Sequence, residues 1–349
     1  MSELIDALVN GGRPVEEAEW DFFWERLRSG RSAPGETAAV LAGLSARWPG
    51  ADTLSALLAS LKPERHLESV EPFPDTVNIV GTGGGPRTFN VSVAAAFVAA
   101  AAGVRVLKTG SRAYTSKVGS VDLLGFLGVP LTGSYAQTRE FLDRHGVAFA
   151  GDFVYPRELA LLARSVYPLD MRTVGRFVSR VGPLLAMVPT TAQITGVSDP
   201  SLSDLLLQAG RRSGREIWLC SNDLGVDELL SFCPNTVRTT GGDAYGLSGA
   251  ELGLAPGGLH DLCPVEGRET VARDFVRLLG GGRSRAATQT VCLNAAAMAR
   301  AGGHPGSWAD LVNSAADAVH SGAAVRLLQD LRDGARTRSG SVPVLGAVS

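Results

Sequence analysis

Apolar positions in the first sixty residues recur at helical spacing. Leu4, Ile5, Leu8 and Val9 form one stripe, which Asn10-Gly11-Gly12 ends. Pro14, followed by Glu16, Glu17 and Glu19, starts a second helix, with proline and acids where a first turn favours them. It carries Trp20, Phe23 and Leu27 to Ser29-Gly30, an apolar set read as core or helical contact face rather than as a cofactor box. Two more helices are predicted, from Glu36 to Trp48 and from Asp52 to Leu61. The stretch from Lys62 to Asp75, with Pro63, Pro72 and Pro74, reads as a linker.

From Val77 the pattern changes to short apolar runs alternating with helical segments. Strands are predicted at Val77–Val80, Val104–Leu107, Val147–Phe149, Ile194–Val197 and Ile217–Cys220. Such alternation predicts an α/β fold with a mainly parallel sheet flanked by helices. The organisation expected is a helical domain over residues 1–70 and an α/β domain over 75–349. The helical stretch beginning at Pro156 interrupts the alternation, so helices from about 156 to 190 are expected to join the first domain.

Three segments carry chemistry. In Val77-Asn-Ile-Val-Gly-Thr-Gly-Gly-Gly85 a strand runs into four glycines within five residues, and an Ala-rich helix follows Asn90 and Ser92. Glycine permits φ > 0 and keeps side chains away from the main chain, while Asn90 and Ser92 offer N-cap chemistry. Together these features make a phosphate cradle at a helix start, or else simply a tight strand-to-helix turn. The spacing fits neither the Walker pattern nor a full GxGxxG. The second segment, Lys108 to Leu124, leaves the next strand with two lysines, an arginine, hydroxyls and glycines, a composition suited to a phosphorylated ligand or to a solvated loop. The third, Ser221 to Leu230, presents adjacent Asp227 and Glu228 with Asp223 nearby. These acids suit Mg²⁺, or complement a helix N-terminus.

Composition narrows the classes. Across 349 residues the net charge is −2, which argues against a dedicated nucleic-acid binder. Cys220, Cys233, Cys263 and Cys292 are scattered without a CxxC pair, and neither a signal-peptide pattern nor a membrane-length apolar run is visible. A soluble cytoplasmic protein is therefore expected. His66, His145, His260, His304 and His320 all lie outside the three segments, so a Ser/His or Cys/His mechanism has no support and no catalytic residue is assigned. His145 reads as a helix C-terminal residue, and Arg211, Arg212 and Arg215 as solvated surface.

In order along the chain these segments resemble the anthranilate phosphoribosyltransferase family. Val77–Val80, Gly81–Gly84 and Thr88–Ser92 are similar to its Val-Asp-Ile-Val-Gly-Thr-Gly-Gly-Asp and Thr-Phe-Asn-Ile-Ser. Lys108 through Val129 is similar, without gaps, to its Lys-His-Gly-Asn-Arg loop and continuation. Gly182-Pro-Leu184, Gln193 to Val197, Asp227-Glu228, Asn294-Ala-Ala-Ala and Ser321-Gly-Ala resemble later family segments. The resemblance implies a homodimer that uses phosphoribosyl pyrophosphate (PRPP), Mg²⁺ and a small aromatic acceptor, without membrane or nucleic-acid partners. Gly81, Thr82, Gly83, Gly84, Gly85, Thr88, Asn90, Ser92, Val93, Lys108, Gly110, Arg112, Thr115, Ser116 and Ser120 would hold PRPP. Ser92, Asp227 and Glu228 would serve the metal, and Gly81, Thr109, Ser111, Tyr114 and Arg172 the acceptor.

The departures lie on the acceptor side. Gly85 stands where the family has Asp, and the loop is one residue shorter before Thr88. Thr109 and Ser111 replace its His and Asn, and Gly125 its Glu. Leu185-Ala186-Met187 replaces Thr-Asn-Pro, and the His-His-Pro segment is absent from Pro156–Val166. The family's acceptor-binding Arg has no clear match; Asp170 stands near its place, with Arg172 and then Arg176 nearby. An acceptor other than anthranilate, aromatic or heteroaromatic, is therefore expected. The alternatives are anthranilate phosphoribosyltransferase of tryptophan biosynthesis, a nucleoside-phosphorylase-like enzyme and a non-catalytic nucleic-acid-binding relative.

Overall fold

The amphipathic helices of the first sixty residues form as α1 (Ser2–Asn10), α2 (Glu17–Arg28), α3 (Glu36–Ala46) and α4 (Ala51–Ser60). The computed structural model describes residues 2–61, 70–110 and 118–339, so most of the expected linker lies outside the described residues. Trp20, Phe23, Trp24 and Leu27 of α2 are buried against Leu41, Leu44, Leu54 and Leu57, which makes the Trp20 stripe core. The Trp24 indole donates to the Ser60 hydroxyl at 2.8 Å, so its polar edge is satisfied inside this cluster.

The same cluster takes in α8 (Arg157–Ser165), α9 (Met171–Val174) and α10 (Arg176–Leu185) through Leu162, Met171, Phe177, Val181 and Leu185. An Arg28–Glu158 ion pair at 2.8 Å ties α2 to α8, with the Glu158 side chain almost fully buried. Leu206 and Leu207 of α11 (Ser203–Arg212) and Ile217 and Leu219 of the adjoining strand extend the cluster onto one face of the sheet.

A second, larger core surrounds that sheet. Its strands are β1 (Phe73–Gly81), β2 (Arg105–Lys108), β3 (Val147–Phe149), β4 (Thr190–Gly196), β5 (Ile217–Asn222), β6 (Pro234–Thr239) and β7 (Ala244–Ser248). Their spatial order is β3-β2-β1-β4-β5-β6-β7, parallel from β3 to β5 and antiparallel from β5 to β7. The fold class read from the sequence holds, with β6 and β7 as an unforeseen hairpin. Val237 is the sole aliphatic residue in Pro-Asn-Thr-Val-Arg-Thr, so β6 carries too weak an apolar signal to read.

The Ala-rich helix α5 (Val91–Ala101) is almost entirely buried. Its small side chains let it pack closely on β1, β2 and α13 (Arg285–Ala301). Around it lie α6 (Ser120–Leu127), α7 (Tyr135–His145), α12 (Arg268–Leu279), α14 (Trp308–His320) and α15 (Ala323–Ser339). His145 ends α7 as expected, followed by Gly146 at φ 70°. Chain order runs outward from β1 to β3 on one side and from β4 on the other. The crevice between β1 and β4 is thus a topological switch point, where open α/β sheets bind ligands. Among the described residues no helix is long and apolar enough to cross a membrane.

Candidate functional site

At the carboxyl ends of β1 and β4, Gly81 and Gly196 are paired in register. Neither could carry a side chain, because the turn bearing Asp227 lies directly over both. Beyond Gly81, the positive φ of Gly83 (68°) and Gly84 (79°) bends the main chain back, and Gly83 donates its N–H to the Asp227 carboxylate at 2.7 Å. Gly85 owes its identity to space: an added Cβ would collide with the Gly225 carbonyl oxygen. The glycine segment and the acidic segment, 144 residues apart, thus form one structure.

No helix begins at Asp227 or Glu228, so the reading of these acids as helix-dipole complements fails. Their turn is built by Asn222, which is 5% exposed. Its amide donates to the Val226 and Glu228 carbonyls at 2.9 and 2.8 Å, and its oxygen accepts from Leu224 and Val226 N–H at 3.1 and 3.3 Å. Asn294 of α13 then fixes Leu229 through both of its backbone groups. Asp227 and Glu228 are consequently held rigidly at the crevice. Burial raises the Asp227 pKa, opposed by the Gly83 amide, Arg180 and Lys108. Burial, reinforced by Asp227, raises that of Glu228 well above the ordinary glutamate range, opposed by Lys108 and the Thr88 hydroxyl. Glu228 Oε2 is buried with no hydrogen-bond partner.

Lys108 ends β2 beside these acids, 3% exposed, with its ammonium donating to the Ile79 and Thr109 carbonyls at 3.1 and 3.3 Å. Burial lowers its pKa to about 8, while Glu228 and Asp227 work to raise it. Among the described residues no carboxylate lies within ion-pair distance of it, so a buried cation faces an under-bonded carboxylate across the crevice. Gly110 lies against Ser120, the first residue of α6, where an added Cβ would come 3.3 Å from the serine Cβ.

Other expected residues are placed differently. Asn90 occupies the N-cap position of α5 but makes no side-chain cap bond. Val93 is wholly buried in the core, so its side chain is closed to a ligand. Thr109 is a correction on the acceptor side: it is fully buried, and both its N–H and its hydroxyl donate to the Asn78 side chain, at 3.0 and 3.1 Å. It braces the strand ends through Asn78 and Gln193 instead of facing the crevice. Ser111, Arg112, Tyr114, Thr115 and Ser116 lie outside the described residues, as does the side chain of Arg172; Arg176 is exposed on α10. Arg215 is not solvated surface. Its guanidinium donates to the Leu184 and Ala186 carbonyls at 2.8 and 2.5 Å, closing the C-terminus of α10, and burial lowers its pKa to about 10.

Two further residues at the glycine turn carried no sequence signal. Ser198 donates its N–H to Thr82 Oγ1 at 3.3 Å and its hydroxyl to the Gly83 carbonyl at 2.6 Å. Arg180 of α10 also donates to the Gly83 carbonyl and to the Ser198 hydroxyl. A cavity of about 190 Å³ lies behind residues 87–90, but its lining is largely apolar, with Phe89, Leu123, Val271 and Phe275. It includes neither Lys108 nor Asp227, so the charged chemistry belongs to the crevice.

Residues 73–325 match the family described as glycosyl transferase family, a/b domain. Anthranilate phosphoribosyltransferase 2 of Streptomyces coelicolor is 34% identical over 330 residues, covering 90% of this chain and 94% of the relative. The crystal structure of anthranilate phosphoribosyltransferase from Thermus thermophilus superposes with a TM-score of 0.78 at 29% identity, covering 95% of this chain and 99% of the other. The Saccharomyces cerevisiae enzyme, solved in complex with PRPP and Mg, has the same fold at 22% identity and a TM-score of 0.76, with 92% of each chain covered. With the family's α/β domain matched over residues 73–325 and a relative aligned nearly end to end, this chain belongs to the anthranilate phosphoribosyltransferase family of glycosyltransferases.

Proposed function

We propose that this protein transfers the 5-phosphoribosyl group of PRPP to anthranilate and releases pyrophosphate. The observation that carries the reading is the crevice between β1 and β4, where a glycine turn, a buried lysine and paired carboxylates converge. Gly81 to Gly85, Thr88, Asn90, Ser92, Lys108, Gly110 and Ser120 hold the phosphates and ribose, and Val93 contributes through its backbone alone. Arg112, Thr115 and Ser116, on the segment outside the described residues, remain part of the proposed set, as do Ser111, Tyr114 and Arg172 for the acceptor.

Mg²⁺ fits Asp227 and Glu228. Among the described residues no group of three metal-ligating side chains exists. Magnesium does not require one, because it binds through one or two carboxylates, waters and substrate phosphates. The orphaned Glu228 Oε2 is an oxygen in need of such a partner. When bound, the ion neutralises charge on the departing pyrophosphate. The chain's own contribution is positioning: Lys108 supplies fixed positive charge beside the phosphates, and the glycine turn brings the main chain close to them. No general base is needed from the histidines for an oxocarbenium-like transfer.

Anthranilate is favoured over the different acceptor expected from the sequence. Relatives at up to 34% identity carry the anthranilate name and align over nearly their whole length. The second reading, another aromatic acceptor, rests on the replacements at Ser111 and Leu185-Ala186-Met187. Anthranilate fluorescence, followed with PRPP and Mg²⁺, separates the two. Its loss at enzymatic rates, matched by pyrophosphate, is expected. PRPP binding without anthranilate consumption would return the acceptor to another aromatic. A homodimer through the helical segment, where Val9 and Phe22 are more than half exposed, completes the proposal and is tested by sedimentation equilibrium.

A further inference from the structure

Phe89 lies between the glycine turn and α5 and is held by residues far along the chain. The segment around it has little of its own to fix it: Pro86 has no N–H to donate, and Asn90 makes no side-chain cap bond on α5. Phe89 itself is buried, and its N–H donates to the Leu262 carbonyl at 2.8 Å, at the end of a short 3₁₀ turn, Leu259–Leu262. The guanidinium carbon of Arg283 sits over its ring, 4.5 Å from the centroid. Phe89 also borders the apolar cavity of about 190 Å³, with Leu123, Val271, Phe275 and Leu278.

Arg283, two residues before α13, is itself fixed. Its Nη2 donates to the Cys263 carbonyl at 2.9 Å, and its Nη1 stands 3.4 Å from Asp274 Oδ2 of α12, with both side chains 10% exposed. One guanidinium thus grips Phe89 twice, by its ring and through the turn that accepts its N–H. A planar guanidinium stacks on a ring while keeping its hydrogen bonds, and such contacts strengthen away from water. The cavity gives the ring an alternative place, since an apolar space of about 150 Å³ accommodates benzene. A ring that moves there carries its neighbours with it: Asn90, and Thr88, whose hydroxyl bonds to Glu228. Resting on the PRPP site described under the proposed function, we propose that Arg283 is a positioning residue for PRPP, which keeps Phe89 out of the cavity and so sets Thr88 and Asn90 for the ligand.

PRPP is titrated calorimetrically, with Mg²⁺, into the full-length protein, Arg283→Met, Val271→Phe and the double variant, and thermal melting reports whether each folds. Arg283→Met weakens PRPP binding ~5- to 20-fold. Val271→Phe fills the cavity from α12 and by itself leaves the affinity within about twofold of wild type. Added to Arg283→Met it restores most of the lost affinity, because the space open to the Phe89 ring is taken. Arg283→Lys keeps a cation over the ring and loses less; where Arg283→Met does not fold, it carries the test with the same rescue. A folded Arg283→Met protein that melts lower but binds PRPP as wild type does overturns the proposal, since the arginine then only stabilises the fold. A loss of affinity that Val271→Phe fails to restore overturns it too. Wild-type protein that does not bind PRPP overturns the PRPP reading itself, and the role of Arg283 with it.

Discussion

Replacing Asn222 with alanine tests whether the acidic turn is a built object. Its side chain makes four hydrogen bonds to the main chain of residues 224–228, at 2.8 to 3.3 Å, and is 5% exposed. Each is worth about 1 kcal/mol net, and the Val226 and Glu228 carbonyls would be left buried without that donor. Bonds that share one side chain are not additive, so the expected loss is about 2–4 kcal/mol. With a urea dependence of about 3 kcal/mol per M, the unfolding midpoint falls by roughly 1 M. The five tryptophans provide the fluorescence signal. Because the Glu228 carbonyl is one of the anchored groups, the Mg²⁺ concentration for half-maximal rate also rises, by about tenfold for each 1.4 kcal/mol of lost positioning. Asn222→Asp keeps the acceptor, loses both donors and adds charge beside buried Glu228, so it is at least as damaging. A midpoint and a Mg²⁺ dependence both indistinguishable from wild type would mean that Asn222 does not hold the turn.

Other consequences follow from the same geometry. Lys108 has its pKa lowered by burial from 10.5 to about 8, so the unfolded chain binds more protons between those values and this group's contribution rises with pH through that window. Lys108→Met removes that slope: its stability relative to wild type, greatest near pH 7, falls by about 3 kcal/mol in urea titrations between pH 8 and 10.5. Gly85→Ala forces a Cβ onto the Gly225 carbonyl and costs about 1–3 kcal/mol by thermal melting, with activity reduced as the turn shifts. A melting temperature equal to wild type would contradict that contact. Arg215→Met frees the Leu184 and Ala186 carbonyls at the end of α10 and lowers stability by about 2–4 kcal/mol.

What the sequence disclosed was whatever is encoded locally. The glycine run, Lys108 at a strand end and adjacent Asp227-Glu228 each announce anion or metal chemistry within a few residues. Of the five expected strands, Val147–Phe149 forms over the expected residues, and the others differ by one to four residues at their ends. Features that depend on distant partners stayed hidden. Arg180 and Arg215 look like ordinary helix and loop arginines until α10 is placed beside the glycine turn and β5. Asn222 reads as a turn residue and gives no hint of four bonds. Thr109 was drawn into the acceptor set by its place in a motif, yet Asn78, 31 residues earlier, turns it inward. Gly85 stands out in the sequence as a missing family Asp, and the contact with Gly225 that sets its size is invisible there.

We assign PRPP to the crevice between β1 and β4, held through Lys108 and a metal on Asp227 and Glu228. Calorimetric titration of PRPP into wild-type protein, Lys108→Met and Glu228→Gln, each with Mg²⁺ and with excess EDTA, tests it most directly. Saturable binding to wild type that needs Mg²⁺ and is weakened at least tenfold by either substitution is expected. Binding of PRPP with equal affinity in all three proteins, or its absence from wild type with Mg²⁺ present, would contradict it.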